Sequence, residues 1–143
     1  MYFPIYQGYV DGGMVANNPS SCALAEALHP DTGKQRLEDV VLISVGTGDS
    51  PRAIPSTNGD WGVAQWGLSL VYILFEGSSG LADFQCSQIL AGRYRRVNMN
   101  LPHGIGLDDV SRIDALVELA DTYSQSAGFL ETVVWLQGRT WQG

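Results

Sequence analysis

An apolar run, residues 40–45 (VVLISV, in which Ser44 is the one polar residue), constrains the fold of this chain more than any other feature. Its β-branched residues favour a strand, and its lack of alternation favours a central strand that is covered on both faces. Residues 5–10 and 94–99 are predicted as two further strands, and helix-like patterns separate the three. The sequence therefore predicts an α/β fold with part of a mixed or parallel sheet, thin enough that an unpaired edge would favour self-association.

The predicted helices fill the segments between and after these strands. Asn18 and Pro19 are typical of a helix start, because Asn caps free amides and Pro fits the first turn. Asp108 or Asp109 is predicted to cap a later helix in the same way. The predicted helices cover residues 18–28, 66–75, 81–90, about 109–123 and 129–136, with a break at 77–80 (GSSG) and a long loop at 49–60.

Composition and charge exclude several classes of function. The chain has 143 residues, of which 45% are hydrophobic, and a mean hydropathy of -0.01, as in globular proteins. With 8 basic and 15 acidic residues, its net charge of -7 argues against a nucleic acid partner and against electrostatic docking on anionic lipid. Cys22 and Cys86 lie in apolar stretches and are predicted to be buried free thiols. His29 and His103 lack ligands at metal-binding spacing, so no metal or cofactor is expected.

The sequence shows no targeting segment of its own. Residues 1–4 (MYFP) have neither the basic nor the long apolar region of a signal peptide. The longest apolar run, residues 63–75, is shorter than the roughly 20 residues that span a bilayer. These observations favour a cytoplasmic over a secreted chain, although a targeting segment upstream of Met1 would lie outside this sequence.

Residues 9–19 (YVDGGMVANNP) carry the clearest candidate site, in a loop between a predicted strand and a predicted helix. Asp11 precedes Gly12 and Gly13, whose small size lets the backbone approach closely and leaves the carboxylate facing a cleft. A carboxylate in such a position acts as a general base when desolvation raises its basicity. The alternative is structural, because an Asp in a turn commonly accepts hydrogen bonds from nearby amides. The local sequence leaves both roles open.

Residues 9–19, followed by 42–48 (LISVGTG), resemble the aspartate motif and the strand with glycine loop of patatin-like phospholipases. The two motifs in this order and at this separation cover about the first third of the chain. The resemblance implies the C-terminal part of a three-layer α/β/α fold with an incomplete sheet. It also implies a serine lipid acyl hydrolase with a Ser–Asp dyad, in which Asp11 is the aspartate.

The same resemblance also shows which parts of the family's active site this sequence lacks. In the family, the serine lies in a Gly-x-Ser-x-Gly elbow and a glycine-rich loop supplies the oxyanion hole, both before the aspartate motif. This sequence contains no such elbow, and its nearest approach, residues 77–80, lies after Asp11. The chain is therefore expected to be the C-terminal portion of the domain, from a truncated gene or a misplaced start at Met1. Alone it would be inactive, and its substrate in the parent protein would be a phospholipid or other fatty acyl ester.

The supporting residues have structural roles beside their functional ones. Gly12 and Gly13 are expected to shape the loop, while Asn17 and Asn18 cap the helix or orient the carboxylate. Ser20 and Ser21 are expected to satisfy helix amides and not to act as nucleophiles. Gly46, Thr47 and Gly48 are expected to pack beside the Asp11 loop, because a phosphate cradle needs a longer spacing and a lysine. These site residues and their immediate neighbours occupy residues 11–21 and 46–48.

Two clusters leave membrane contact open. The aromatic residues are expected to be core, with an acyl-channel rim or peripheral membrane contact as the alternative. The arginines are expected to form a solvated strand face, with headgroup contact as the alternative. The competing function for the whole chain is a non-catalytic α/β binding or assembly module that retains the fold. The clusters comprise Trp61, Trp66, Tyr72 and Phe75, and Arg93, Arg95 and Arg96.

Overall fold

The α/β class predicted from the sequence is confirmed, since helices accompany a small parallel sheet. The computed structural model describes residues 2–3, 9–49, 62–102, 105 and 109–139. The chain divides into two compact units, residues 1–44 with 53–96 and residues 45–52 with 97–143. The elements are β1 (Tyr2–Phe3), β2 (Tyr9–Val10), α1 (Gly13–Ala16), α2 (Ser20–Leu28), β3 (Leu42–Val45), α3 (Val63–Leu90), β4 (Tyr94–Val97), α4 (Ile113–Ser124) and α5 (Ala127–Gln137).

The first predicted strand is confirmed at its end, Tyr9–Val10, while residues 5–8 lie outside the described residues. The sequence predicts that this strand joins a mixed or parallel sheet with the other two strands, but its described part does not pair with β3 or β4. Instead β2 pairs antiparallel with β1, Tyr2 opposite Val10 and Phe3 opposite Tyr9. The two strands are separated by only five residues, so closing this local pairing sacrifices little chain entropy. The described sheets are accordingly two pairs, β1–β2 and β3–β4.

The strand β3 forms where the apolar run predicts it, but the prediction that both faces are covered is wrong. Leu42 packs against the core and Ser44 is buried, whereas Ile43 is 40% exposed and Val45 is 72% exposed. Alternate residues of a strand point to opposite faces, and packing covers only the face of Leu42 and Ser44. An apolar run indicates that a strand is hydrophobic, but it does not show whether other elements cover both faces of that strand.

The core of the first unit joins α2, the start of β3, the end of α3 and β4. Its buried residues are Leu24, Val40, Cys86, Leu90 and Tyr94. Cys86 is buried and free, as predicted. The prediction for Cys22 is half right, because its thiol is free but the residue is exposed. Cys22 and Leu24 lie on different faces of α2, and it is the face with Leu24 that packs into the core.

The two helices predicted over residues 66–90 are one continuous helix of 28 residues, α3. The predicted break at residues 77–80 is therefore wrong. A glycine inside a helix costs about 1 kcal/mol relative to alanine, which packing elsewhere on the helix can offset. That packing comes from Ala82, Cys86 and Leu90, buried at successive turns, while the Ser78 hydroxyl donates to the Phe75 carbonyl at 3.0 Å.

The second unit contains the last two helices. Asp109 caps the turn that leads into α4, since its Oδ1 accepts the Ser111 amide at 3.2 Å. That confirms the predicted cap at Asp109, while Asp108 lies outside the described residues. Ser126 caps α5 by accepting the Phe129 amide at 3.3 Å. The rings of Tyr123 and Phe129 meet edge to face with centroids 5.8 Å apart, which holds α4 against α5.

Candidate functional site

Asp11 stands directly after β2 and before α1, at the loop position that the sequence predicts. Its side chain is exposed, and Oδ1 accepts the Gly13 amide at 2.9 Å. The Asp11 carbonyl accepts the Met14 amide at 3.0 Å, which starts α1. The site therefore presents a carboxylate whose direction is set by its own turn.

The glycines of the motif have different surroundings. A side chain at Gly12 would meet nothing within 4 Å. A Cβ at Gly13 would lie 3.2 Å from Asp11 Oδ1 and 3.6 Å from Asn17 Oδ1. Gly13 thus lets its amide reach the carboxylate, and Asn17 borders the same space. Among the described residues Asp11 Oδ2 has no hydrogen-bond donor, so this oxygen is open to an incoming hydroxyl.

Asn18 anchors the end of the motif. Its side chain is 4% exposed, and its Oδ1 accepts the Ser20 amide at 3.2 Å and the Ser20 hydroxyl at 2.5 Å. Asn18 therefore satisfies an amide at the start of α2, as predicted, although the helix begins one residue later, at Ser20. Asn17 is exposed, so the two asparagines have separate surroundings.

A network of side chains ties this start of α2 to distant elements; we call it the polar cluster, comprising Asn18, Ser20, Ser44, Ser79 and Arg96. Ser44 donates to Asn18 Oδ1 at 3.3 Å, and Asn18 Nδ2 donates to the Ser79 carbonyl at 3.2 Å. Arg96 donates to the Ser44 hydroxyl at 2.7 Å and to the Ser79 hydroxyl at 3.4 Å. The cluster thus fastens the segment after Asp11 to β3, α3 and β4.

Tyr94 borders the polar cluster and makes its own bond to α3, donating its hydroxyl to Asp83 Oδ1 at 2.6 Å. Burial, followed by this hydrogen bond, raises the pKa of Tyr94 to about 12. Burial is also the main cause that raises the pKa of the Cys86 thiol, with the Asp83 charge second. Both groups therefore stay protonated at neutral pH, which suits packing and not nucleophilic chemistry.

Four serine hydroxyls of the first unit, those of Ser20, Ser44, Ser78 and Ser79, are engaged in structure. Ser20 and Ser44 are buried and bonded to Asn18, as described above. Ser78 and Ser79 lie inside α3, on regular helix, so residues 77–80 do not form a strained strand-to-helix elbow that would expose a serine. Ser20 is thus engaged in structure and not exposed as a nucleophile, but its hydroxyl donates to Asn18 Oδ1 and does not satisfy a helix amide as the sequence predicts.

The glycine loop lies in the second unit, whereas the Asp11 loop lies in the first. The Gly46 amide donates to the Val97 carbonyl at 2.9 Å, and the Gly48 amide donates to Asn98 Oδ1 at 2.8 Å. Gly48 has φ +102°, and a Cβ there would lie 2.5 Å from Leu101 Cγ. Thr47 is exposed between them. The loop continues the parallel pairing as far as the bridge of Asp49 with Asn100, and its packing beside Asp11 stays a prediction.

The predicted solvated arginine face is wrong. Arg93 donates to the carbonyls of Leu37 and Val40, and Arg96 belongs to the polar cluster. The signal in the sequence was Ser44, a lone hydroxyl in an apolar strand, but nothing linked it to Arg96. Arg93 thus satisfies carbonyl oxygens that precede β3, and Arg96 joins β3 to α3 through two serine hydroxyls. Arg95 donates to the Tyr94 carbonyl at 2.9 Å.

Of the aromatic residues predicted as core, the three that the structure describes lie outside the buried core. Trp66 is exposed, and Tyr72 and Phe75 are half-buried, whereas Trp61 lies outside the described residues. Across the described ranges, no helix is long and apolar enough to cross a membrane. The same residues include no group of three or more His, Cys, Asp or Glu arranged to hold a metal ion.

Comparison with known proteins adds two similarities. The chain is 28% identical over 142 residues to Protein teg of Priestia megaterium, covering 81% of this chain and 44% of that protein. It is 24% identical over 144 residues to the "Putative sporulation hydrolase CotR" of Bacillus subtilis, covering 81% and 43%. No family model and no solved structure matches. The chain thus spans less than half the length of these two relatives.

Proposed function

We propose that this chain is the C-terminal portion of a patatin-like serine lipid acyl hydrolase and contributes its dyad aspartate, Asp11. The observation that carries the proposal is the placement of Asp11 after a strand, with Oδ1 held by the Gly13 amide. Asp11 is exposed in this chain, and on this proposal the segment that supplies the serine also covers and desolvates its carboxylate. Such a carboxylate has one oxygen fixed for direction and one available to a hydroxyl. The similarity to a protein named a sporulation hydrolase is in keeping with hydrolytic chemistry.

In the proposed reaction, Asp11 accepts the proton of a serine hydroxyl supplied by a segment that this chain lacks. The serine oxygen attacks the ester carbonyl, the alcohol leaves with the proton, and a water then releases the fatty acid from the acyl-enzyme. The polar cluster holds the residues that follow Asp11 and so limits the drift of the carboxylate. A positional error of about 1 Å in such a group can cost about 100-fold in rate.

The test begins with the coding sequence immediately upstream of Met1. Joined in frame to this chain, it is expected to supply Gly-x-Ser-x-Gly and to hydrolyse a fatty acyl ester of glycerophosphocholine. Asp11→Asn is expected to lower kcat by roughly 1,000-fold, because the amide cannot accept the proton. Thermal stability should stay unchanged, since the amide oxygen still accepts the Gly13 amide.

Asp31→Asn is the matched control, because Asp31 is also an exposed turn residue of the first unit. Its kcat and KM should equal those of the parent. Full activity in Asp11→Asn would remove Asp11 from the mechanism. The absence of a serine elbow both upstream and on any partner chain would remove the hydrolase proposal.

A non-catalytic α/β binding or assembly module is the second candidate, and the Asp11–Gly13 hydrogen bond favours it, because a turn alone requires that contact. On this proposal the isolated chain unfolds cooperatively and does not react with a fluorophosphonate. Asp11→Ala would then lower stability while Asp11→Asn would not. Esterase activity dependent on Asp11 would exclude it.

A further inference from the structure

The outer face of α3 carries an apolar stripe, which we define as Leu70, Ile73, Leu74, Leu81 and Phe84. Their exposed fractions are 48%, 38%, 67%, 56% and 61%. At about 100° per residue these positions fall within a band about 100° wide. The buried residues Ala82, Cys86 and Leu90 lie on the opposite side of the helix. The helix is therefore apolar on the side that faces away from its own core.

Two glycines interrupt this stripe without a reason in the chain's own packing. Gly77 and Gly80 fall within or beside the band, and a Cβ at either would meet nothing within 4 Å. Glycine weakens a helix, so its presence at two open positions gains nothing in an isolated chain. It does allow another backbone to approach closely. Glycines between large apolar residues thus favour a packed protein partner over a lipid surface.

The arrangement is symmetric about Gly77. Leu70 and Phe84 lie seven residues to either side, and Ile73 and Leu81 lie four to either side. Three residues to either side are Leu74 and Gly80, a large residue and an open position. In an antiparallel helix pair that crosses at residue 77, each of these residues meets its counterpart. Leu74 of each helix then packs into the space beside Gly80 of the other helix. The surface is therefore self-complementary, as a two-fold interface requires.

We propose that α3 is a homodimer interface, on which a second copy of this chain packs antiparallel across Gly77. The stripe offers roughly 500 Å² on each copy, so a dimer would bury about 1,000 Å² in total, which is near the lower limit for a specific interface. The expected dimer is consequently reversible and concentration dependent. This interface is a helix face, distinct from the sheet-edge association that the sequence predicts, and none of its residues belongs to the proposed catalytic site.

The charges of α3 disfavour the lipid alternative. The helix has no Lys or Arg, and its two acidic residues, Glu76 and Asp83, lie outside the stripe. Helices that lie on membranes usually carry basic residues on their polar face, and this chain has a net charge of -7. A second copy, by contrast, meets the stripe with uncharged surface.

Sedimentation velocity of the full chain, from about 1 μM to about 100 μM, tests the proposal. The expected result is a monomer–dimer equilibrium that Phe84→Glu weakens at least tenfold. Ile89→Glu is the matched control, because Ile89 is 49% exposed on the same helix but lies outside the stripe. Gly80→Leu should also weaken the dimer at least tenfold while strengthening the helix, which separates loss of the interface from loss of folding.

Disulfide trapping tests the geometry in a Cys22→Ser background, since Cys22 is exposed and Cys86 is buried. Gly77→Cys should cross-link two copies, because the two residues meet at the crossing. Gly67→Cys should not, since its two copies would be about 30 Å apart along the helices. A chain that stays monomeric throughout, or a dimer unaffected by Phe84→Glu, overturns the proposal. A monomer that binds phosphatidylcholine vesicles through Phe84 also overturns it and assigns the stripe to lipid.

Discussion

Replacing Asn18 by alanine tests the polar cluster most directly. The carboxamide is 4% exposed and joins four groups, with distances of 2.5 Å to 3.3 Å. Alanine would leave the Ser20 amide and hydroxyl without their acceptor, and the Ser44 hydroxyl without the oxygen to which it donates. It would also remove the donor to the Ser79 carbonyl. Ser20 and Ser44 are buried, so their groups lose the partner away from bulk solvent, whereas Ser79 is only half-buried.

The magnitude follows from these bonds. Loss of the helix cap costs about 1 kcal/mol, and each further buried group without a partner costs about 1 kcal/mol or more. The free energy of unfolding should therefore fall by about 3 kcal/mol, a large share of the roughly 5–15 kcal/mol typical of domains. Asn17→Ala is the control, since Asn17 is exposed, and it should change stability by no more than about 0.5 kcal/mol.

Urea unfolding of the two variants, followed by circular dichroism, gives both free energies. The m-value should be the same in both, because the surface exposed on unfolding does not change. Equal losses in Asn18→Ala and Asn17→Ala would refute the role assigned to the polar cluster. A large loss of unfolding free energy in Asn17→Ala alone would show that Asn17, and not Asn18, anchors the segment.

Two further predictions concern other residues. Because Tyr94 has a pKa of about 12 when folded and an ordinary value near 10 when unfolded, its contribution is complete below pH 10 and is lost as pH rises towards 12. The free energy of unfolding should fall by roughly 2–3 kcal/mol over this range. In Tyr94→Phe, urea unfolding should show a much smaller decrease of this free energy between pH 9 and 11. An unchanged dependence on pH would contradict the assignment. Gly48→Ala should lower the midpoint of thermal unfolding, because φ is +102° and the new Cβ meets Leu101 at 2.5 Å, whereas Gly128→Ala, which meets nothing within 4 Å, should not lower it.

Local patterns in the sequence predicted the features that local interactions determine. Asp109 caps a helix by accepting an amide two residues away, and Asn18 accepts the Ser20 amide over the same distance, although Pro19 directly precedes α2. The position of Asp11 after a strand likewise follows from adjacent residues. These predictions were confirmed because the residues that decide them are neighbours along the chain.

The features that the sequence did not predict depend on distant contacts. The break expected at residues 77–80 is absent because the packing of Cys86 and Leu90 outweighs the propensity of two glycines. Ser44 and Arg96 are 52 residues apart, and Asn18 and Ser79 are 61 apart, so no spacing rule connects them. The burial of one face of β3 also depends on its neighbours and not on its own residues.

The residues of the first unit's core lie far apart in the sequence, and this separation sets the order in which they are synthesised. Leu24 and Val40 are made before the residues that bury them, because Cys86, Leu90 and Tyr94 follow 46 to 70 residues later. Until α3 and β4 have been made, the helix α2 lacks the core residues that these elements supply, although α3 can already form from local contacts. The nascent first unit therefore completes its core in one late step, and a ribosome stalled before residue 94 would hold a chain with exposed apolar residues.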